Sequence, residues 1–440
     1  MHSNTGIDQR PPNSMSRIAF ASMTGTVVEF YDFIIYGTAA ALVFHKVFFP
    51  ELGQAAGTAL AFATFGVAFV ARPVGSIIFG HFGDRIGRKK TLVSTLLLMG
   101  GATVAIGLIP TTSTIGVAAP LLLVALRIAQ GLAVGGEWAG AILLASENAK
   151  PEKRGFYSLF PQMGPSVGFS LASATFLITA LTMSDDAFLA WGWRIPFLTS
   201  ALLVIVGLYV RLSIQESEEF RGTVERNETV AVPFAEAFRK QSKEVLLGAG
   251  AVMTPFAFFY IGVSYLTSYG TQQLELSRPT VLTMGILGGF AFAITTICGS
   301  IWSDRFGRRK MMTLGCALGA VTGLVAFPIL DRATPTAFLI GLVLILGSVG
   351  FVYGPAGAHL PELFATRYRY TGAGVAYSLA GVLGGAVTPL LAARLEASSG
   401  SYAVGVCLTV IALISLVSVL ALRETRPESI TPQGQRVSVR

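Results

Sequence analysis

Long apolar runs alternate with short polar segments along the whole chain. A helix needs about 20 apolar residues to cross a bilayer, and twelve runs reach that length. The pattern therefore predicts an all-α integral membrane protein with twelve transmembrane helices. We place them at residues 18–46, 56–81, 91–110, 119–147, 156–180, 194–213, 245–270, 280–302, 311–330, 336–359, 371–394 and 401–422.

The twelve predicted helices fall into two sets of six. Residues 214–244 separate the sets and are polar and rich in Glu, Arg and Lys. We interpret this segment as a cytoplasmic linker between an N-terminal lobe (18–213) and a C-terminal lobe (245–422). Residues 1–17 and 423–440 are the predicted cytoplasmic tails.

A repeated basic string indicates that one half of the chain duplicates the other. Residues 84–90 read Asp-Arg-Ile-Gly-Arg-Lys-Lys, and residues 304–310, which lie 220 positions later, read Asp-Arg-Phe-Gly-Arg-Arg-Lys. A second echo joins Glu147 and Arg154 to Glu362 and Arg369, again seven residues apart. A duplicated membrane bundle is typical of two-lobed secondary transporters.

Composition and charge agree with a membrane protein. Only 13% of residues are charged, against about 25% in soluble domains. The net charge of +8 does not indicate nucleic acid, because most of the 32 Lys and Arg residues fall in one set of alternating loops and the tails. This positive-inside bias predicts cytoplasmic termini, and we expect a bacterial inner-membrane location.

Two carboxylates lie inside the first predicted helix. A charged group at the centre of a membrane helix costs about 2.5–3.5 kcal/mol or more, so Glu29 and Asp32 suggest a function. Their i, i+3 spacing places both on one helix face, with Tyr36 one turn further on. A carboxylate held away from water in this way can take up and release a proton.

The other charges within helices also belong to the first half. Arg72 lies in the second helix, and Arg127 and Glu137 lie in the fourth, with Gln130 beside Arg127. A buried Arg can bind an anionic substrate or pair with a carboxylate. The alternative is a fixed ion-pair network that only stabilises the lobe.

The repeated basic loops are candidates for a conformational latch. Positive charge alone would set topology, but topology does not require Asp, Gly and Arg at fixed spacing in both halves. Gly80 allows close helix approach, and Asp84 could accept from a helix N-terminus or pair with Arg88. The candidate latch residues are Gly80, Asp84, Arg85, Gly87, Arg88, Asp304, Arg305 and Arg308.

These motifs resemble those of the major facilitator superfamily. The string Gly-x3-Asp-Arg-x-Gly-Arg-Lys-Lys at 80–90 is similar to the superfamily's loop between helices 2 and 3. Arg127-x2-Gln130-Gly131 is similar to its helix-4 motif, in which the resemblance implies a role for Arg in proton coupling. Residues 361–364 with Arg367 and Arg369 resemble the segment between helices 10 and 11 of sugar porters.

Four further strings resemble the metabolite:proton symporters, the branch that includes shikimate, α-ketoglutarate, citrate and proline/betaine carriers. Within that branch, the strings at 79–85 and 368–375 resemble those of shikimate carriers. Together the resemblances cover residues 16–425. The first four strings lie at 28–33, 71–75, 135–138 and 191–197.

The resemblance implies a proton symporter that imports a small organic acid or zwitterion by alternating access. We assign proton coupling to Glu29, Asp32 and Arg127. The expected partners are a small-molecule substrate, protons and lipid, with no nucleic acid, cofactor, metal or enzymatic activity. The oligomeric state stays open, with a monomer as the working expectation. The predicted substrate-binding residues are Arg72, Arg127, Tyr36, Gln130 and Glu137.

Two alternatives remain open from the sequence. Residues 164–168 (Gly-Pro-Ser-Val-Gly) partly resemble the helix-5 motif of drug/proton antiporters, so an exporter is one alternative. A membrane sensor that kept the fold and lost transport is the other. Second-half aromatic side chains could face the site, and the candidates are Tyr260, Tyr265, Tyr269 and Tyr377.

Overall fold

The computed structural model describes residues 14–213 and 233–426, except for the side chains of residues 54, 55, 88 and 233. Within these ranges it contains twelve helices that are long and apolar enough to cross a membrane, and no strand. The predicted fold class is confirmed. The helices are α1 (Met15–Val47), α2 (Ala56–Arg85), α3 (Lys89–Leu108), α4 (Ala118–Glu147), α5 (Pro151–Thr182), α6 (Gly192–Leu212), α7 (Phe234–Gln272), α8 (Arg278–Phe306), α9 (Arg308–Leu330), α10 (Pro335–Glu362), α11 (Thr366–Ser399) and α12 (Ser401–Ala421).

The largest difference from the sequence prediction is the start of α7. The helix begins inside the predicted linker, because its first turns carry a buried Ala237 on one side and a Glu236–Lys240 pair at i, i+4 on the other. Gln241 kinks the helix and donates to the carbonyl of Leu363 at 2.8 Å. Residues 214–232 of the linker, 1–13 and 427–440 lie outside the described ranges.

Equivalent helices pack together in the two halves of the chain. α2 packs on α4 as α8 packs on α10, α3 packs on α6 as α9 packs on α12, and α1 packs on α5 as α7 packs on α11. Between the halves, α5 packs on α8 and α2 packs on α11. α1 and α7, the two most buried of the described spans, lie at the centre of the molecule.

Several helices are locally distorted near that centre. α1 and α7 each contain a π-helical turn, at Ala40–Phe44 and Ile261–Tyr265, and α11 contains one at Gly381–Ala386. Such turns often occur at functional sites. The break in α5 at Met163 precedes the Gly164-Pro165 pair, and Gly164 packs directly on Thr26 of α1. The Gly-Pro pair therefore has a packing role within the first lobe.

Candidate functional site

Glycines bring α2 and α4 into backbone contact at the centre of the first lobe. Gly131 packs on the backbone of Ala68, and Gly75 packs on the backbone of Leu132. Small residues at such crossings allow membrane helices to approach closely. The crossing fixes Arg72 of α2 and Arg127 of α4 on the same side of the lobe.

Both arginines stack on one aromatic ring. The guanidinium carbon of Arg72 lies 4.3 Å from the Phe33 ring centroid, and that of Arg127 lies 4.5 Å from it. Arg127 also lies 3.8 Å from the Tyr36 ring centroid. Cation–π contact of this kind offsets part of the cost of burying charge. We call Phe33, Tyr36, Phe65, Phe69, Arg72, Arg127 and Tyr260 the central cluster.

Arg72 differs from Arg127 in its hydrogen bonds. Arg127 donates to Gln130 Oε1 at 2.8 Å and to the carbonyl of Phe65 at 3.2 Å. Arg72 is 1% exposed, and its three nitrogens have no hydrogen-bond partner among the described residues. An unsatisfied buried guanidinium is costly, so Arg72 is suited to bind an anionic group.

Glu29 is buried nearby, also without a hydrogen-bond partner in the described part of the chain. It lies within electrostatic range of Arg72 on α2 and of Arg211 on α6. Gly25, one turn before Glu29, allows the Arg211 guanidinium to pack against the α1 backbone. The first predicted carboxylate therefore lies between two buried cations.

The second predicted carboxylate, Asp32, lies among hydroxyl groups inside the first lobe. Thr103 of α3 donates to its Oδ2 at 2.9 Å, and Ser200 of α6 donates to its Oδ1. Gln130 in turn donates to Thr103 at 2.7 Å. Asp32 is thus linked to Arg127 through two uncharged side chains.

Glu137 lies apart from the central cluster. It forms an ion pair with Arg211 and accepts a hydrogen bond from Thr95 at 2.7 Å. Arg211 also donates to the carbonyl of Leu92 at 2.5 Å. This network joins α3, α4 and α6. Glu137, which the sequence analysis predicted to bind substrate, therefore forms its ion pair and hydrogen bond within the first lobe.

The Tyr36 ring packs against the guanidinium of Arg127, and its hydroxyl is bound to α2. It is fully buried, and its hydroxyl lies 2.7 Å from Thr64 Oγ1 of α2. The ring thus holds Arg127 by its face rather than offering its hydroxyl to the cluster.

The four second-half tyrosines separate into two groups. Tyr260 belongs to the central cluster, with its ring centroid 4.8 Å from that of Phe69. Tyr377 stacks on Trp138 of the first lobe at 3.9 Å. Tyr265 and Tyr269 lie further out and donate to acidic side chains, Glu396 and Asp331 respectively.

A cleft of about 1300 Å³ opens near that second pair, on the side opposite the basic loops. It lies between α2 of the first lobe and α7 and α11 of the second. Its lining includes Ala59, Phe62, Tyr265, Gln272 and Leu390.

On the basic-loop side the two lobes contact each other through two equivalent aspartates. Asp84, at the end of α2, accepts from the backbone N–H of Thr371 at 3.3 Å and from its hydroxyl at 2.8 Å. Asp304, at the end of α8, accepts from the backbone N–H groups of Gly155 and Phe156 at 3.1 and 2.9 Å. Each carboxylate binds near a helix N-terminus of the other lobe, where the helix dipole favours negative charge.

Glycines at repeated positions shape the loops that present these aspartates. Gly87 and Gly307 have φ values of +114° and +109°, a region that side chains disfavour. Gly80 lies against Thr371, where a Cβ would come within 2.8 Å of the hydroxyl oxygen. These glycines allow the short α2–α3 and α8–α9 turns and the close approach of α2 to α11.

The arginines of the two loops have different environments. Arg308 is buried and binds Asp304 at 2.9 Å and Glu362 at 2.7 Å. Arg85 and Arg305 are exposed, and Arg85 lies 3.3 Å from His81 within its own helix. The side chain of Arg88 lies outside the described part of the structure.

Glu424 completes the second-lobe network by accepting from the backbone N–H groups of Arg308 and Arg309 at 3.0 and 3.1 Å. Burial acts to raise the pKa of Glu424. Hydrogen bonds from the backbone of Arg426, Arg308 and Arg309 outweigh burial and hold the pKa below its usual value.

Sequence reasoning did not single out several residues that the structure places at the site. Thr103 and Ser200 surround Asp32, and Arg211 pairs with Glu137. Arg211 stands at the end of an apolar run, where an arginine usually extends to the membrane surface. Isolated Thr and Ser residues in apolar helices carry no signal of their partners.

Comparison with known proteins identifies the family. The model of the Major Facilitator Superfamily matches residues 23–389 and 272–438. The chain belongs to the major facilitator superfamily. Its solved neighbours include the proton:xylose symporter XylE, with a TM-score of 0.74 and 18% identity over 94% of this chain and 96% of that one. At that identity the likeness shows the shared fold.

Curated relatives place this facilitator among metabolite transporters. It is 44% identical to the inner membrane metabolite transport protein YhjE of Escherichia coli K12, over 96% of this chain and 97% of the relative. It is 39% identical to the shikimate transporter of that strain, over 93% and 95%. It is 33% identical to the strain's proline/betaine transporter, over 92% and 83%. The chain is thus a multi-pass metabolite transporter and not an enzyme.

We expect Asp84→Asn to slow transport more than it weakens substrate binding. Asn keeps the shape but loses the charge that accepts from Thr371. A charge-assisted hydrogen bond contributes about 1–2 kcal/mol more than a neutral one. The equilibrium constant for closure of the basic-loop side should therefore fall about 5- to 30-fold. Initial uptake rates and equilibrium binding on the same preparation measure the two effects.

Asp331→Asn is the matched control for this prediction. Asp331 accepts from Tyr269 and Ser401, all within the second lobe, so its loss leaves the contact between lobes intact. An Asp84→Asn variant with the wild-type turnover would show that the loop sets topology alone.

Proposed function

We propose that this transporter imports a small organic acid or zwitterion together with protons, by alternating access between its two lobes. The observation that carries the proposal is that neither the buried Arg72 guanidinium nor the Glu29 carboxylate has a hydrogen-bond partner among the described residues, although the two groups lie within electrostatic range of each other. A substrate carboxylate would satisfy the guanidinium, and a proton would neutralise the carboxylate. A site with both groups can therefore load an anion and a proton together.

Arg72 and Arg127 are the two cationic side chains that we propose bind the substrate. Both stack on Phe33, and the Arg72 guanidinium, which lies close to the Tyr260 hydroxyl, has no hydrogen bond of good geometry to a described residue. Arg uses a planar set of donors that matches a carboxylate in a bidentate manner. Tyr260 reaches the same cluster from α7, so a substrate bound there would contact both lobes.

Glu29 and Asp32 are the proposed proton carriers. Carboxylates within membrane helices that face the bundle interior commonly mark proton relays in transporters. Glu29 faces the two cations, whereas Asp32 lies among Thr103 and Ser200. Tyr36 and Gln130 would support Arg127 rather than touch the substrate, and Glu137 would stabilise the lobe.

The paired aspartates support the transport cycle that we propose. Asp84 and Asp304 bind the lobes together on the basic-loop side, while the cleft opens on the other side. We assign the basic-loop side to the cytoplasm of a bacterial inner membrane, with both termini there. The cleft lining includes no residue of the central cluster, and Arg72 and Arg127 are buried. On the cleft side Gln272 of α7 also donates to the Ala41 carbonyl of α1 at 3.3 Å. The described geometry would then be an occluded state of the cycle.

Uptake by the purified protein in liposomes tests the proposal. The panel is shikimate, α-ketoglutarate, citrate, proline and betaine, each with an inward proton gradient and then with a protonophore. We expect one class to accumulate and the protonophore to abolish accumulation. If no member accumulates and preloaded cationic drugs leave instead, the chain is an antiporter and the proposal is wrong.

A further inference from the structure

Four side chains form a continuous hydrogen-bonded chain from the central cluster to Asp32. Arg127 donates to Gln130 Oε1 at 2.8 Å, Gln130 Nε2 donates to Thr103 Oγ1 at 2.7 Å, and Thr103 donates to Asp32 Oδ2 at 2.9 Å. All four residues are fully buried. These hydrogen bonds run from α4 through α3 to α1. Arg127 and Asp32 form no ion pair with each other.

The Arg127 guanidinium fixes the direction of the first two hydrogen bonds. A guanidinium can only donate, so the Gln130 carbonyl must face Arg127 and the Gln130 amide must face Thr103. The Thr103 hydroxyl oxygen therefore accepts from Gln130, and its hydrogen points to Asp32 or to the carbonyl of Met99, which lies 3.0 Å away. Thr103 thus has two acceptors for one hydrogen.

Protonation of Asp32 would select between these two acceptors. When Asp32 is charged, Thr103 donates to its Oδ2. When a proton from the solvent binds Oδ2, the new O–H can donate to Thr103 Oγ1, which accepts two hydrogen bonds and turns its own hydrogen to Met99. Ser200 keeps donating to Oδ1 in both states. One hydrogen bond reverses, and Gln130, Thr103 and Asp32 all keep their hydrogen bonds.

We propose that Thr103 and Gln130 are positioning residues that couple protonation of Asp32 to the strength with which Arg127 binds an anion. This inference rests on the proposed function. Donors aligned toward a carboxylate polarise one another, so charged Asp32 strengthens the hold of Gln130 on Arg127. Reversal of the Thr103 bond removes that polarisation and leaves the guanidinium a stronger partner for the substrate.

The contributions of other ionisable groups near Asp32 to the pH dependence must be distinguished from that of Asp32. α5 contributes none between Gly164 and Thr182, and the two lysines of α3 lie at its basic-loop end. Glu29 is the second carboxylate on α1, so each measurement is repeated in a Glu29→Gln background. The ionisable groups facing this region are Glu29, Tyr31 and Tyr36 on α1, Arg72 on α2, Arg127 on α4 and Arg211 on α6.

The test is the pH dependence of substrate binding by the purified full chain. The probe is radiolabelled shikimate, or α-ketoglutarate if the wild type does not bind shikimate. Allosteric couplings amount to about 5- to 150-fold, so the wild-type affinity should rise at least about fivefold between pH 8 and pH 5.5. In Thr103→Val the rise should fall below about twofold, because valine keeps the shape and breaks the chain.

Three further variants make the result specific. Thr103→Ser keeps the hydroxyl and should retain the wild-type pH profile. Gln130→Met breaks the chain at its other link and should match Thr103→Val, with no further loss in the double variant. Thr199→Val is the control, since its hydroxyl donates only to the Ile195 carbonyl of its own helix, at 2.8 Å.

The outcomes distinguish this inference from the proposed function. Wild-type protein that takes up none of the panel with protons contradicts the proposed function. If wild-type uptake is proton-coupled but Thr103→Val has the same pH profile of binding as the wild type, the role of Thr103 and Gln130 is wrong and the proposed function stands. A uniform loss of affinity in Thr103→Val and Thr103→Ser at every pH also overturns it, because that result indicates a packing role.

Discussion

We expect Asp32→Asn to abolish accumulation driven by a pH gradient while the variant still folds and inserts. Asparagine can accept from Ser200 at its carbonyl oxygen and donate from its amide to Thr103 Oγ1, as protonated Asp32 would, but it cannot take up or release a proton. A gradient of one pH unit is worth about 1.4 kcal/mol per proton, which supports about tenfold accumulation at one proton per substrate. The variant should reach an internal-to-external ratio of about 1 under the same gradient.

Exchange of internal for external substrate without a gradient is the control for this variant. Exchange needs binding and alternating access but no net proton movement, so Asp32→Asn should retain it. Normal uphill uptake by the variant would show that Asp32 is not the proton carrier, and Glu29→Gln would then be the next variant to measure. Loss of exchange as well would indicate damage to the lobe.

Arg72→Gln should cause the largest loss of substrate binding. Removing one partner of a buried charge pair costs about 2–5 kcal/mol in binding, which corresponds to a loss of affinity of about 30- to 5000-fold. Arg72→Lys should recover little, because an ammonium group cannot bind a carboxylate in a bidentate manner or stack on Phe33 as a planar cation does. Equilibrium binding at fixed pH measures both variants.

Thermal stability separates this role of Arg72 from a structural one. Arg72 stacks on Phe33 and Phe69 but forms no ion pair with a described residue, so Arg72→Gln should lower the Tm of the substrate-free protein only slightly. Arg211 is equally buried but pairs with Glu137, so Arg211→Gln leaves a buried carboxylate unpaired and should lower the Tm. A Tm that falls as far in Arg72→Gln as in Arg211→Gln would show that Arg72 stabilises the lobe.

The fold could be predicted from the sequence because lipid imposes a simple rule. Backbone polar groups must be satisfied inside each spanning segment, so every long apolar run becomes a helix. The start of α7 was not predicted in this way, because the turn around Ala237 and Gln241 is amphipathic rather than apolar. It is helical in the structure because it packs on the segment between α10 and α11.

The candidate site could be predicted only in part. Charge inside an apolar run is visible in a sequence, and Glu29, Asp32, Arg72 and Arg127 were found in this way. Their partners were not visible, because a hydroxyl or an arginine at a helix end is ordinary in sequence. The structure alone placed Arg211 on Glu137 and Thr103 on Asp32.

The sequence by itself determined that this chain is a duplicated bundle of twelve membrane helices with buried charge in its first half. Those properties follow from hydropathy and from the repeated loop, which are local or periodic. Tertiary structure decided which charges are paired and which are not, because pairing depends on how separate helices cross. Gly75 and Gly131 set that crossing for Arg72 and Arg127, and it leaves one guanidinium without a hydrogen-bond partner in the described structure while the other joins a chain to Asp32.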